Sequence, residues 1–449
     1  MARIRVLACI SFCLFQAILV NAESRQLLGL RGGTGTGDEK IPKEDNTASE
    51  VTSEQDLEVT ASNLTIPLHA HSGTHHVHVY IGSPPQRQTL IVDTGSRVMA
   101  FPCKPCRFCG KHASPYFDTR KSTTKRLSKC GNCKLEGIST CSLFGDQCEI
   151  TQKYTEGSSW SAHEIEDMVW LGNDDVMESI EDHMQLAISY AFGCQTSING
   201  LFQKQYADGI LGLARHDTSL VAAYYRTNAI SRNAFSLCLT ADAGYFALGG
   251  SMPVKYHLEE MKTTPITKEH GWYSVEVTEI WVGGIRVVSE DLDLAMLKRV
   301  NAGKGCILDS GTTDTYLPSK LQEPVGEAAM RHSGGMLDFT DETRVRNFSF
   351  EDFHTLPDLT FVFAGNVTLV MEAKQYMEGV TLTPEGEVQS WEGTKVLTNR
   401  VYLEEDNGAV LGANAMLGYD ILFDSQAHHV GIARAQCHAD IPSIAHALS

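Results

Sequence analysis

Two aspartates occur in nearly the same local sequence, one in each half of the chain. The first lies in Leu90–Ser96 (LIVDTGS) and the second in Cys306–Thr313 (CILDSGTT). Each copy is an apolar run that ends in Asp, a hydroxyl residue, Gly and another hydroxyl residue. The apolar runs predict buried strands, and the Gly allows a sharp turn where each strand ends. The repeat therefore predicts two carboxylates, Asp93 and Asp309, at matching strand ends.

Two facing carboxylates have a defined chemistry. Because both cannot ionise at a separation of a few ångströms, they share one proton. The ionised member can take a proton from water, and the protonated member can hydrogen-bond a substrate carbonyl. Such a pair can hydrolyse an amide by general acid–base catalysis, without a covalent intermediate and without a metal. We therefore predict no metal and no cofactor. The alternative is two unrelated turn aspartates, since Asp-x-Gly also marks ordinary turns; the duplication argues against it.

On these motifs the chain resembles the pepsin-like aspartic proteases, from about Val77 to Cys437. The resemblance implies an all-β, bilobal fold of two β-barrel-like lobes with a central cleft that binds a peptide or protein substrate. Asp93 and Asp309 match the catalytic pair. The residues that would support them are Thr94, Gly95, Ser96, Ser310, Gly311 and Thr312. In the family, the hydroxyls matching Thr94 and Ser310 tie the two loops to opposite lobes, and those matching Ser96 and Thr312 bond the outer carboxylate oxygens.

Composition and the N-terminus narrow the class of protein. A chain of 449 residues suits two domains, and a net charge of −18 argues against nucleic acid as a partner. Arg3 and Arg5 precede the apolar run Val6–Val20, which predicts a signal peptide at residues 1–22. The run is short for a membrane span, and an uncleaved anchor is the minor alternative. No second apolar stretch approaches spanning length, so we predict no transmembrane segment beyond the signal peptide. The expected product is a monomer in the secretory pathway, either secreted or in the lumen of the endoplasmic reticulum.

The remaining chain divides into a leader, two lobes and a tail. Residues 23–62 are polar and acidic and predict a disordered leader or propeptide. Pepsin-like zymogens have a basic prosegment, so this acidic leader is not expected to inhibit in that way. It contains Arg25–Leu28 (RQLL), similar to the Arg-x-Leu signals that one branch of the family cuts, although a chance tripeptide is favoured. The predicted lobes are residues 63–250 and 251–437, and the tail is 438–449. Glycosylation sequons occur at Asn63, Asn347 and Asn366.

Five histidines lie close together between Leu68 and Tyr80. They are His69, His71, His75, His76 and His78. Such a cluster is compatible with metal binding. However, His76, His78 and Tyr80 alternate with two valines, which is the period of a half-buried strand. We favour the strand and predict no metal site.

A cysteine-rich segment follows the first aspartate. Its members are Cys103, Cys106, Cys109, Cys130, Cys133, Cys141 and Cys148. Zinc would be the interpretation in a cytosolic protein, but behind a signal peptide disulfides are favoured. The spacing resembles the insert, here 103–148, of nepenthesin-type aspartic proteases, plasmepsin V among them. That resemblance implies Cys103–Cys106, Cys109–Cys194, Cys130–Cys148, Cys133–Cys141 and Cys238–Cys437, with Cys306 a free, buried thiol.

By the same resemblance, Tyr154 and Gly157 belong to the flap, a hairpin that closes over substrate. An ordinary surface hairpin is the alternative. Pepsin-like enzymes usually have a Trp where this chain has Ala100, and that Trp bonds the flap tyrosine. Plasmepsin V also lacks it. Its loss leaves the resting position of the flap open, and Arg97 would give the adjacent pocket a positive rim.

These features favour a processing protease of the secretory pathway that resembles plasmepsin V and recognises an Arg-x-Leu-like motif. A broad-specificity digestive acid protease is the alternative enzyme. A protease-like inhibitor or binding protein is the alternative from another class. Away from the motifs, the pattern predicts strands at Asp208–Leu213 and Ala409–Gly412, which would run behind the two Asp loops. It also predicts a hairpin within Trp272–Val288 and a helix at Ser319–His332.

Overall fold

The computed structural model describes residues 64–142, 145–154, 157–172, 186–268, 271–339, 345–383 and 386–438. Within these residues the protein is all-β, with a few short helices. The predicted signal peptide, the leader and the sequon at Asn63 lie outside the described residues, as does nearly all of the predicted tail. No helix in the described part of the chain is both long and apolar enough to span a membrane.

The first half of the chain contributes strands to one large sheet. They are β1 (Leu64–His71), β2 (Thr74–Ile81), β3 (Gln86–Asp93), β4 (Ala100–Arg107), β5 (Arg126–Leu127), β6 (Thr140–Cys141), β7 (Cys148–Lys153), β8 (Ser159–Gly172), β9 (Ile188–Asn199), β10 (Gly209–Gly212), β11 (Ala234–Leu239) and β12 (Ala243–Leu248). A helix, α1 (Leu220–Arg226), follows β10, and the hydroxyl of Ser219 accepts a hydrogen bond at its N-terminus.

The second half contributes the remaining strands and helices. Its strands are β13 (Lys262–Pro265), β14 (Ser274–Val275), β15 (Val277–Val282), β16 (Ile285–Val288), β17 (Cys306–Leu308), β18 (Thr315–Pro318), β19 (Val345–Phe348), β20 (Leu359–Phe363), β21 (Val367–Met371), β22 (Met377–Glu378), β23 (Lys395–Asn399), β24 (Val401–Glu405), β25 (Ala409–Leu411), β26 (Tyr419–Asp424) and β27 (His429–Arg434). Its helices are α2 (Glu290–Val300), α3 (Gln322–His332), α4 (Phe350–Phe353), α5 (Ala373–Tyr376) and α6 (Ala413–Met416).

Backbone pairing joins the two halves. The large sheet has 15 strands and includes β13, β26 and β27 beside the strands of the first half, because β26 pairs with β11. The rest of the second half forms sheets of five, four and three strands. The predicted all-β, bilobal fold is therefore confirmed. The hydrogen-bonded sheet continues across the predicted lobe boundary at residue 250.

Each aspartate loop is supported by the same arrangement of strands. In the first half, β10 runs parallel to β3 and antiparallel to β4; in the second, β25 runs parallel to β17 and antiparallel to β18. The glycine that ends each supporting segment is in close contact with backbone. A Cβ at Gly212 would lie 2.3 Å from the nitrogen of Val98, and one at Gly412 would lie 2.2 Å from the oxygen of Asp314. Only glycine fits at these crossings, which accounts for the repeated apolar-apolar-Gly sequence.

Other local predictions agree with the structure. The hairpin forms from β15 and β16 around Gly283 and Gly284, and α3 ends at His332 as predicted. Of the five clustered histidines, His75, His76 and His78 lie on β2, as the period of two predicts, and His69 and His71 lie on β1. The sequon residues Asn347 and Asn366 are exposed, so their glycosylation stays a prediction.

The disulfide pairing differs from the predicted pairing in the cysteine-rich insert. The structure joins Cys103 to Cys194, Cys106 to Cys109 and Cys133 to Cys148, so the predicted pairs Cys103–Cys106, Cys109–Cys194, Cys130–Cys148 and Cys133–Cys141 are wrong. The reason is strand register. Because β4 and β9 pair in parallel, Phe101 lies opposite Cys194. This register places Cys103, two residues further along β4, with its Cα atom 5.3 Å from that of Cys194.

The remaining cysteines follow the prediction in part. Cys238 is joined to Cys437, and Cys306 is a buried free thiol, both as predicted. Cys130 and Cys141 remain thiols that hydrogen-bond to each other, a contact that raises the pKa of Cys130. Sulfurs within a disulfide are not available as zinc ligands.

Candidate active site

The two aspartates lie at the ends of equivalent strands. Asp93 is the last residue of β3, and Asp309 follows β17 directly. The backbone behind them is fixed by the parallel strands, since the N–H of Leu213 donates to the carbonyl of Asp93 (2.8 Å) and that of Asp309 donates to Leu411 (3.0 Å). Both carboxylates are 1% exposed. The structure thus brings together the two carboxylates that the sequence predicts.

Reciprocal hydrogen bonds tie the two loops to each other. The hydroxyl of Thr94 donates to the carbonyl of Leu308 (2.8 Å), and the hydroxyl of Ser310 donates to that of Val92 (2.8 Å). Each hydroxyl also accepts the backbone N–H of the other residue, at 2.9 Å for Thr94 and 3.1 Å for Ser310. These four bonds hold the loops in one relative position, and they are the contacts that the family resemblance implies.

The oxygens of each carboxylate are held by its own loop. Asp93 accepts the N–H of Gly95 (2.9 Å) and the hydroxyl of Ser96 (2.5 Å). Asp309 likewise accepts the N–H of Gly311 (3.0 Å) and the hydroxyl of Thr312 (2.8 Å). Each carboxylate therefore has a fixed orientation before any substrate binds.

The two glycines let the carboxylates approach the opposite loop. A Cβ at Gly95 would lie 2.6 Å from an oxygen of Asp309, and one at Gly311 would lie 2.1 Å from an oxygen of Asp93. No side chain fits at such distances. The glycines of the two motifs are required by this close approach as well as by the turn.

A tryptophan that the sequence analysis did not single out also supports the site. The indole N–H of Trp272 donates to the carbonyl of Gly95 (2.8 Å). Trp272 precedes β14, in the second half of the chain, so this bond holds the first loop from the opposite lobe. Nothing local to Trp272 in the sequence indicates this role, because the contact joins residues that are distant along the chain.

Burial and mutual repulsion raise the proton affinity of the pair. Burial raises the pKa of Asp93, and the neighbouring Asp309 carboxylate raises it further, against hydrogen bonds from Ser96 and Gly95. Burial also raises the pKa of Asp309, against hydrogen bonds that favour its ionised form. The pair therefore retains one proton at pH values where an ordinary aspartate has lost it.

This proton should be visible in the pH dependence of stability. Because the folded pair binds its proton more tightly than the unfolded chain, the contribution is complete below the ordinary Asp pKa of about 4 and is lost as pH rises above it. Relative to a double variant that carries Asp93→Asn and Asp309→Asn, the wild-type free energy of unfolding should decline by up to about 1.4 kcal/mol per pH unit as pH rises above about 4. Urea unfolding at several pH values measures it; parallel curves would contradict a shared proton.

The predicted flap tyrosine, Tyr154, hydrogen-bonds a tryptophan other than the one that this chain lacks at position 100. Tyr154 follows β7, and β7 and β8 form the expected hairpin, with Gly157 in a left-handed conformation (φ 93°) at the turn. The indole N–H of Trp160, on β8, donates to the hydroxyl of Tyr154 (3.0 Å). Both side chains are buried, and Tyr154 also packs on Phe202. The predicted flap tyrosine is therefore hydrogen-bonded within its own hairpin.

Loss of this hydrogen bond should impair catalysis more than folding. For Trp160→Phe we expect kcat/KM to fall by up to about tenfold, because a hydrogen bond contributes about 0.5–1.5 kcal/mol. The matched control is Trp170→Phe, also buried on β8 but stacked on Tyr80. Steady-state kinetics on a peptide substrate and melting temperatures separate the two effects. Equal losses of activity in both variants would contradict a specific role for Trp160.

A large cavity adjoins the second aspartate loop. Its volume is about 880 Å³, and both halves of the chain line it, with Gly73 and Tyr206 on one side and Thr313 and Glu378 on the other. Arg400, also in its wall, bonds the carboxylates of Asp314 (2.6 Å) and Glu378 (2.5 Å). The cavity is therefore bordered by charged groups as well as apolar ones.

Comparisons with known proteins agree with this geometry. The family model "Xylanase inhibitor N-terminal" matches residues 75–250. "Aspartic protease 5" of Toxoplasma gondii is 33% identical over 211 residues, which are 42% of this chain and 21% of that protein. "Aspartyl protease AED1" of Arabidopsis thaliana is 26% identical over 411 residues, 87% of this chain and 77% of that protein. Over these stretches the chain is similar to aspartic proteases.

"Plasmepsin V" of Plasmodium falciparum is a further relative, 28% identical over 186 residues, 40% of this chain and 30% of that protein. The alignments with Aspartic protease 5 and Plasmepsin V thus cover only a minor part of those longer proteins. What this chain cleaves is therefore a matter for proposal.

Proposed function

We propose that this chain is an endopeptidase that hydrolyses peptide bonds with a water activated by Asp93 and Asp309. The observation that carries the proposal is the buried carboxylate pair, locked by hydrogen bonds across the two halves of the chain. The ionised carboxylate accepts a proton from the water, and its partner donates a proton to the substrate carbonyl oxygen. Collapse of the tetrahedral intermediate breaks the C–N bond as a proton passes to the leaving amine. No acyl-enzyme forms.

The residues around the pair have distinct roles in this mechanism. Ser96 and Thr312 orient one oxygen of each carboxylate, while Gly95 and Gly311 orient the other through backbone N–H groups. Because these donors are in place before substrate arrives, they need no reorganisation during the reaction. Tyr154 positions the flap hairpin, which closes over the bound peptide and excludes water.

We further propose a processing role in the secretory pathway in preference to general digestion. The four disulfides among the described residues are typical of proteins that mature in an oxidising compartment. The cavity beside Thr313 is bordered by charged groups, which suits selection of polar substrate side chains better than broad cutting between apolar residues. Its accessible carboxylate is Glu378, 62% exposed. One oxygen of Glu378 bonds Arg400, and the other can accept the guanidinium of an Arg-x-Leu substrate.

Paired peptides test this specificity. Cleavage of a peptide with Arg-x-Leu is compared with that of its Ala-x-Leu counterpart, near neutral pH and in acid, with Glu378→Gln as the matched variant. The processing proposal predicts a strong preference for arginine that Glu378→Gln reduces. Equal cleavage of both peptides, fastest in acid, would instead favour a digestive enzyme.

An inhibitor or binding protein is the second candidate, because the matching family model carries the name of a xylanase inhibitor. Against it, both aspartates and their complete set of hydrogen bonds are present. Such a network has no evident use in a protein that only binds. Tight binding of a statine-type peptide, whose hydroxyl mimics the tetrahedral intermediate, would support the enzyme.

A further inference from the structure

The predicted flap hairpin rests on a single turn of 3₁₀ helix, Gly200–Gln203, that follows β9. The hydroxyl of Ser158, beside the hairpin turn, accepts the backbone N–H of Leu201 (2.9 Å). The rings of Tyr154 and Phe202 pack together, with centroids 4.8 Å apart, and both side chains are buried. The flap tyrosine is therefore held by this turn as well as by the tryptophan of its own hairpin.

One side chain fixes the turn to its surroundings. The amide of Gln203 donates from Nε2 to the carbonyl of Phe108 (2.7 Å) and to that of Ile198 (2.9 Å). Ile198 lies on β9 directly opposite Trp160, which bonds the flap tyrosine. Phe108 belongs to the cysteine-rich insert, 95 residues earlier in the chain. Gln203 thus joins the strand beside the flap to the insert through two donated hydrogen bonds, which an acceptor-only side chain cannot make.

The insert presents this carbonyl from an unusual backbone conformation. Phe108 has a φ of 61°, in the left-handed region that a bulky residue rarely adopts. Its ring is 86% exposed, so packing of the side chain does not account for the conformation. A conformation of this kind persists only where the surrounding structure holds it. Here Cys106 and Cys109 close the loop by a disulfide, and Gly110 lies so close to the carbonyl oxygen of Gln203 that a Cβ would clash with it.

The same segment of chain also forms part of the large cavity. Leu201, Lys204 and Tyr206 line it, as does Thr313 of the second aspartate loop. Contact with the insert continues along this segment, since the N–H of Ala113 donates to the carbonyl of Tyr206 (2.9 Å). A shift of the turn would therefore move the flap and this wall of the cavity together.

We propose that Gln203 is a positioning residue for peptide hydrolysis, because its amide anchors the turn that holds the flap tyrosine. This role rests on the endopeptidase function proposed above. Gln203 acts through Phe202 and Tyr154 and not on the reacting atoms. Because a flap excludes water and adds contacts mainly in the transition state, loss of the anchor should lower kcat more than it raises KM.

Gln203→Glu in the full chain tests this role, since the two side chains have nearly the same shape. An ionised carboxylate donates no hydrogen bond and repels both carbonyls, so kcat/KM for a fluorogenic peptide should fall by at least about tenfold at neutral pH. The two carbonyls disfavour the ionised form, which raises the pKa of the introduced carboxyl above its ordinary value of about 4.3. As pH falls through that pKa, the protonated group regains one donor, and the ratio of variant to wild-type kcat/KM should rise.

Two further variants make the test specific. Gln203→Met keeps the length of the side chain without a donor or a charge, so it should lose activity at every pH, with no recovery in acid. Gln426→Glu adds the same charge in an exposed turn, where the side-chain oxygen accepts the N–H of Asn233 (3.2 Å), a bond that a carboxylate keeps. It should leave kcat/KM unchanged.

Hydrogen exchange of the backbone amides of Tyr154 and Leu201 reports the position of the flap without proteolysis. Faster exchange than in the wild type at neutral pH in both Gln203 variants, with recovery of activity in acid only for Gln203→Glu, supports the role. Wild-type kcat/KM and wild-type exchange in Gln203→Met would overturn it, whether or not Gln203→Glu folds. If the wild-type chain cleaves no peptide, the proposed function fails, and amide exchange alone still decides whether Gln203 holds the flap.

Discussion

Replacement of Asp93 by asparagine is expected to lower kcat/KM for peptide hydrolysis by about a thousandfold or more, because it removes one member of the acid–base pair. The same loss is expected for Asp309→Asn. The fold should be retained, since asparagine has nearly the same shape and can still accept the N–H of Gly95 through its amide oxygen. Removing a buried carboxylate also relieves the repulsion within the pair. Kinetics on a fluorogenic peptide and thermal unfolding measure the two effects.

The control for charge is Asp217→Asn, an exposed aspartate in the loop before α1. It should leave kcat/KM unchanged. Near-normal cleavage by purified Asp93→Asn, free of contaminating protease, would contradict the assignment of the carboxylate. A variant that fails to fold would be resolved by Asp309→Asn, which tests the other member of the same pair.

Replacement of Gly311 by alanine should be nearly as damaging, although it removes no reacting group. The new Cβ would lie 2.1 Å from an oxygen of Asp93, so the two loops must move apart. Misplacement of catalytic groups by about 1 Å can cost about a hundredfold in rate, and we expect at least that loss in kcat/KM. Gly95→Ala, whose Cβ would lie 2.6 Å from Asp309, should behave alike.

Gly145→Ala is the matched glycine control. A Cβ there would have ordinary contacts, the nearest at 3.7 Å, so activity and melting temperature should both be unchanged. Full activity of Gly311→Ala would show that the carboxylates need not approach as closely as the structure places them. Loss of folding in place of activity would be recognised by circular dichroism and near-ultraviolet spectra.

Local sequence was sufficient for the parts of the site that depend on local geometry. Asp93 and Asp309 could be found because each follows an apolar strand and precedes a glycine turn, and the duplication made the pair recognisable. The strands behind the two loops, β10 and β25, were predictable for the same reason, because each is followed or ended by a glycine in the same apolar-apolar-Gly sequence. The histidines of β2 showed the alternation of a strand.

Contacts set by long-range register could not be found in this way. The pairing of Cys103 with Cys194 depends on the alignment of β4 with β9, which no spacing of cysteines encodes. Trp272 hydrogen-bonds Gly95, 177 residues away along the chain, so only the fold brings the two together. The chain has Ala100 where the usual tryptophan would be, but the consequence was not predictable from the sequence, because a different tryptophan, Trp160, supplies the bond.

The most direct test of the central claim is product analysis by mass spectrometry after a diverse peptide library is incubated with the purified chain and, separately, with Asp93→Asn. The account predicts cleavage at internal peptide bonds by the wild-type protein, blocked by a statine-type peptide and absent from the variant. Cleavage that is identical in the two samples, or no cleavage by a folded wild-type chain across acidic and neutral pH, would contradict it.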